Sequence, residues 1–81
     1  MAQLSKEDIQ LKNAIADRIR ELREKSGLSQ TEFAKKHDLD RQHINNWESK
    51  NNARGVTIYT IARFCKMVGV TLEEFFGMVK L

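Results

Sequence analysis

Ser29-Gln30-Thr31-Glu32-Phe33-Ala34-Lys35-Lys36-His37-Asp38-Leu39-Asp40-Arg41-Gln42-His43-Ile44-Asn45-Asn46-Trp47-Glu48-Ser49 is the stretch on which the reading of the fold turns. Ser29, with Glu32 three residues on, makes a capping box, in which a hydroxyl and a carboxylate satisfy amide donors at a helix start. Phe33 and Ala34 then face inward, and this helix ends near His37. Asp38, Leu39 and Asp40 form a turn, because Asp tolerates a left-handed backbone better than most residues. Asp40 is the expected N-cap of a following helix over residues 41–49. That helix carries only two large apolar side chains, Ile44 and Trp47, spaced three apart. One narrow face is therefore buried and the opposite face is polar.

Working outward, Ser5 caps a first helix with Asp8 in its first turn, and the stripe Leu11, Ile15, Ile19, Leu22 runs on to Gly27, a left-handed stop. The predicted span is residues 6–26. Beyond the central stretch, residues 50–55 read as a polar loop. Thr57 then caps a helix with the stripe Ile58, Ile61, Ala62, Cys65, Val68, ended by Gly69. Thr71 with Glu74 forms another capping box, opening a short helix with Leu72, Phe75 and Phe76 on one side before Gly77. The 81 residues suffice for one core and not two. With no proline and few glycines, the composition suits helices. The expectation is an all-α chain: a compact five-helix bundle forming one domain over residues 1–81, with an N-terminal arm 1–5 and a C-terminal tail 77–81.

Lys and Arg number 14 against 11 Asp and Glu, which permits a polyanionic partner without demanding one. Cys65 is the single cysteine, so no internal disulfide forms; with no secretory segment this points to a reducing cytoplasm. His37, His43 and Cys65 stand at no metal-ligand spacing, and Cys65 lies on a buried stripe, so no metal is expected. No apolar run approaches a membrane span, and no membrane partner is expected. A Gly-rich phosphate loop, a serine elbow and an isolated carboxylate pair are all missing from the sequence, so neither an enzyme nor a cofactor is expected.

Two short helices joined by a tight turn, the second docking through two apolar residues, are what helix-turn-helix DNA readers require. With Ile44 and Trp47 inward, a turn of about 100° per residue aims Gln42, Asn45, Asn46 and Ser49 outward, with Arg41 and His43 flanking. Arg can bond guanine, and Gln or Asn adenine. A polar helix face is by default merely solvated; here the ordered helix pair favours base contact for the set. Trp47, beside Ile44, reads as core rather than as a stacking platform for single strands, and so do Phe33, Phe64 and Phe75.

The sequence resembles the Cro and phage-repressor family, also called XRE, through Leu28-Ser29-Gln30-Thr31-Glu32-Phe33-Ala34-Lys35-Lys36, then Ile44, then Trp47-Glu48, and on through Gly69-Val70-Thr71-Leu72-Glu73-Glu74-Phe75-Phe76. The resemblance implies a lambda-repressor-like DNA-binding domain. It places Arg41, Gln42 and Asn46 at base-reading positions, joined by Asn45 from its outward placement, and Gln30 on a phosphate. It also pairs Arg23 with Glu48 in a partly buried ion pair that fixes the recognition helix. The turn position where the family usually has glycine is Asp38. Asp38 and Asp40 put negative charge near the phosphates, so backbone binding falls to Gln30, His43, Ser49, Lys50, Arg54 and Lys35. Lys35 and Lys36 are equally well accounted for as solubilising charge.

The function so implied is a sequence-specific regulator of transcription, a repressor, bound to double-stranded DNA. An antitoxin or a helical protein-interaction module using the same domain is the alternative, and the few residues outside the helices count against an antitoxin. One recognition helix reads too few base pairs to single out a genomic site, so a homodimer on a pseudo-palindromic operator is expected. Phe76, Met78 and Val79 are the expected dimer contacts.

Overall fold

Hydroxyl side chains open four of the five helices of the computed structural model, which describes residues 4–51 and 55–79. Ser5, Ser29, Thr57 and Thr71 accept hydrogen bonds from the amides of Asp8, Glu32, Thr60 and Glu74, at the starts of α1 (Lys6–Lys25), α2 (Gln30–Lys36), α4 (Ile58–Val68) and α5 (Leu72–Gly77). The first, second and fourth of these caps are reciprocal boxes. In the α2 box the Ser29 amide and hydroxyl hold the Glu32 carboxylate below the usual glutamate range. The cap's contribution is therefore present at neutral pH and fades as acid protonates Glu32.

The helix between them, α3 (Arg41–Glu48), starts differently. Asp40 has the extended backbone of an N-cap, but its side chain makes no capping bond. Asp40 is thus the N-cap that the sequence implies, with the His43 amide bonded to its carbonyl at 3.0 Å and not to its carboxylate. The turn before it forms as expected. Asp38 sits at φ 57°, the left-handed region, and the Leu39 amide reaches back 2.8 Å to the Ala34 carbonyl, closing the end of α2.

Each helix sends at least one side chain into a single core. Ile19 and Leu22 come from α1, Phe33 and Ala34 from α2, Ile44 from α3, Ile61, Phe64 and Cys65 from α4, and Phe75 from α5. Phe64 is fully buried at its centre, with ring centroids 5.7 Å from Phe33, 6.3 Å from Trp47 and 6.3 Å from Phe75. Trp47 is thus a core residue that docks α3, as its spacing from Ile44 implied.

Leu11 and Ile58, placed on buried stripes by periodicity, are exposed. Helix α1 rises about 30 Å over its length, nearly the 36 Å long axis of the molecule, so its first turns overhang the core. Ile58 occupies the first position of α4, at the core's edge. Leu72 and Phe76 are exposed while Phe75 is buried, because a six-residue helix seals only one side chain. Gly27 and Gly69 adopt positive φ where they stop α1 and α4, whereas Gly77 lies within α5 and the helix is capped by Met78. No described helix is long and apolar enough to cross a membrane.

Candidate nucleic-acid interface

Burying Ile44 and half-burying Trp47 leaves Arg41, Gln42, His43, Asn45 and Asn46 exposed along α3. The helix is held in place from behind. The Arg23 guanidinium, on α1, donates through Nε to Glu48 Oε2 at 2.6 Å and through Nη2 to Glu48 Oε1 at 3.1 Å. Its third arm, Nη1, reaches the Leu28 carbonyl at 2.8 Å. The two side chains are only 10 % and 5 % exposed. The Glu48 hydrogen bond is the main reason the guanidinium pKa is raised above its ordinary value. Bidentate geometry and a third acceptor are what make such a pair tolerable away from water.

Gln30 joins this cluster, its Nε2 donating to Glu48 Oε1 at 3.1 Å. Glu48 therefore ties together α1, the start of α2 and the end of α3, and the sequence reading missed the Gln30 link. A primary amide has two N–H donors, and this bond orients Gln30 by using one of them.

Gln30, Asn45, Ser49 and Lys50 line one polar depression of 520 Å³ between α1 and the end of α3, together with Asp17, Arg20, Arg23, Glu48 and Asn51. Four of the residues assigned to the interface are thus brought together. The Lys50 ammonium lies 3.1 Å from Asp17 Oδ1, an exposed pair, and the Lys50 carbonyl accepts from Lys12 Nζ at 2.8 Å, which ties the loop after α3 to α1. Ser49 caps α3 in an extended conformation, and its hydroxyl accepts from the Asn51 amide at 3.1 Å. Lys35 is exposed on α2, outside this depression. Arg54 lies outside the described residues.

Arg18 is a structural residue that the sequence reading overlooked. Its Nε donates to the Phe75 carbonyl at 2.9 Å, its Nη2 to the Glu74 carbonyl at 3.1 Å and its Nη1 to Glu21 at 2.6 Å. The guanidinium carbon stands 5.9 Å from the Phe75 ring centroid. Arg18 thereby docks α5 on α1. Its spacing gave a signal, since it falls three residues after Ile15 and four before Leu22 on the buried stripe.

Of the residues assigned to a dimer contact, Phe76 is 36 % and Met78 58 % exposed, while Val79 is half-buried against the core. Tyr59, 74 % exposed at the start of α4, is a large apolar surface that the sequence reading did not single out. Cys65 is buried, which pushes its thiol above the ordinary value and keeps it protonated. His37 packs on Phe33 with centroids 4.5 Å apart. Among the described residues no group of His, Cys, Asp and Glu is placed to hold a metal ion.

A docked, short α2 followed by a tight turn and an α3 with its polar face free defines the helix-turn-helix class. The sequence model of the Helix-turn-helix family matches residues 19–75, and the chain belongs to that family. It is similar to the Control protein C.MunI of a Mycoplasma species, with 32% identity over 71 residues that cover 86% of this chain and 93% of that one. Among solved structures it resembles a chain of the nucleoprotein complex C.Esp1396I, at a TM-score of 0.69 and 30% identity, over 85% of this chain and 87% of that chain.

Proposed function

We propose that the protein is a transcriptional regulator of the control-protein type, a repressor that binds double-stranded DNA with α3 in the major groove. The observation that carries this reading is the exposed row Arg41, Gln42, Asn45, Asn46 on a helix whose orientation is fixed from behind by Arg23 and Glu48. Polar side chains on a rigid element can read base edges, whereas on a mobile one they would lose the gain to ordering. Gln30, His43, Ser49, Lys50, Arg54 and Lys35 take the phosphates. The likeness to a control protein and to a nucleoprotein complex supports the same reading. The protein has no catalytic role of its own and works in the cytoplasm, on DNA, as one domain.

Gln42→Ala tests it. Binding to the preferred duplex weakens by about 1–3 kcal/mol, while binding to random duplex and the melting temperature stay nearly unchanged. Fluorescence anisotropy at fixed salt measures both affinities, and equal losses on the two duplexes would remove Gln42 from base reading.

The active species is a homodimer on a pseudo-palindromic site, with self-contact through the outer side of α5 and the residues after it, where Phe76 and Met78 are exposed beside Val79. Placing a charge there, as in Met78→Glu, leaves the monomer folded and lowers operator affinity through lost association. Sedimentation at micromolar concentration, with and without the duplex, reads the outcome. One monomer per duplex in the unsubstituted protein, or a dimer indifferent to the substitution, would move the contact elsewhere.

A further inference from the structure

We propose that Asn46 sets the base preference of Gln42, holding its amide in the orientation that accepts adenine and rejects guanine. The inference rests on the reading of α3 as the recognition helix and concerns how that helix discriminates. Gln42 and Asn46 lie one turn apart, both exposed, and Gln42 Nε2 donates to Asn46 Oδ1 at 3.1 Å. Side chains spaced by four on a helix are neighbours, so this bond costs the backbone nothing.

A glutamine amide carries one carbonyl oxygen and two N–H donors. In the major groove adenine offers an acceptor at N7 and a donor at N6, whereas guanine offers two acceptors, N7 and O6. Gripping adenine takes the carbonyl oxygen and the N–H on the same side of the amide. The second N–H, which points away from the carbonyl, is spare, and it is the one that the proposal gives to the Asn46 oxygen. Gln42 is then left with one acceptor and one donor facing outward. Guanine would need both donors, and one of them is occupied.

The opposite arrangement, with Asn46 Nδ2 donating to Gln42 Oε1, would free both Gln42 donors and suit guanine. Which way round the pair sits therefore decides the base, and the structure holds the adenine-type arrangement. Fixing the last torsion of Gln42 before binding also removes part of the ordering cost on contact. Asn46 acts here through Gln42 as a positioning residue, and discrimination read at the Gln42 position separates this effect from any base contact of its own.

The variants Asn46→Ala and Asn46→Asp separate the possibilities. Alanine removes the lock and leaves Gln42 free to turn either way. Aspartate can only accept, so it enforces the observed arrangement while adding negative charge near the phosphates. The measurement is the affinity for the preferred duplex and for duplexes in which each A·T pair of a half-site is changed in turn to G·C, by anisotropy at fixed salt, with thermal unfolding confirming that every variant is folded. In the unsubstituted protein one such change costs about tenfold or more, the discrimination expected of a good bidentate contact. Gln42→Ala abolishes the penalty at that position, and Asn46→Ala reduces it to under about threefold. Asn46→Asp keeps it at about tenfold or more while weakening all duplexes alike.

Asn46→Ala with undiminished discrimination at the Gln42 position would overturn the proposal and leave base reading by Gln42 intact. So would Asn46→Asp that discriminates as poorly as alanine. Gln42→Ala that alters no position would instead remove the recognition-helix reading of Gln42, and the proposal with it.

Discussion

Phe64→Ala is expected to cost about 3–5 kcal/mol, because it empties the site where the core's aromatic rings meet. Phe64 is fully buried and contacts Phe33 from α2, Trp47 from α3 and Phe75 from α5. Among the described residues no other ring is in contact with all three. The lost area is compounded by lost edge-to-face contacts, and the neighbours cannot close in without tilting the helices they sit on. A domain of this length has a total stability of roughly 4–12 kcal/mol, so the loss removes a large part of it. At about 4–8 °C per kcal/mol the melting temperature falls by more than about 12 °C. Calorimetry or thermal circular dichroism decides it, and a drop of only a few degrees would mean that the core closes without this ring.

The second large effect is expected at Glu48. Glu48→Ala leaves the Arg23 guanidinium with the Leu28 carbonyl as its remaining hydrogen-bond partner among the described residues, in a place where its side chain is 10 % exposed. It also releases Gln30. Stranding one member of a fully buried pair costs about 3–5 kcal/mol, and the retained carbonyl bond and slight exposure bring the expectation to about 2–4 kcal/mol. Glu48→Gln, which keeps the shape and one acceptor, recovers part of this. The exposed pair Arg20 with Glu24, 3.4 Å apart on α1, is the control: Arg20→Ala, which leaves the surroundings of Arg23 in place, changes stability by no more than about 0.5 kcal/mol. If Glu48→Ala and Arg20→Ala melt alike, the Arg23 and Glu48 pair is solvated and does not fix α3.

These two substitutions act on different parts of what the sequence made legible. The helices could be read because their starts are local: Ser5 with Asp8, Ser29 with Glu32 and Thr71 with Glu74 each bond within three residues. The turn at Asp38 was readable for the same reason, since few residue types accept its backbone. Burial was readable only where a helix stays over the core. Periodicity alone cannot say that the first turns of α1 overhang it, which is why Leu11 was misplaced.

Long-range polar contacts were the least legible. Arg18 finds its long-range partners on Glu74 and Phe75, more than fifty residues away, and they are backbone carbonyls, which carry no sequence signature. The Arg23 and Glu48 pair was anticipated through family resemblance, but the Gln30 bond to the same carboxylate was not. Lys50, assigned to phosphate from its charge, also stands beside Asp17, which charge counting does not reveal. The candidate base readers were legible as a set because only Ile44 and Trp47 can face inward. The direction of the bond between Gln42 and Asn46 is set by the fold and not by the residue types, since either amide can donate.

Selection of bound duplexes from a random pool is the most direct test of the central claim, that α3 reads double-stranded DNA as part of a two-fold assembly. The account predicts enrichment of a pseudo-palindrome whose half-site centres lie one helical turn, about 10 base pairs, apart, with at least one adenine in each half-site lost from the enriched set when Gln42→Ala replaces the original protein. A pool that stays random after repeated rounds at physiological salt, or one that enriches single-stranded or unstructured sequences instead, would contradict it.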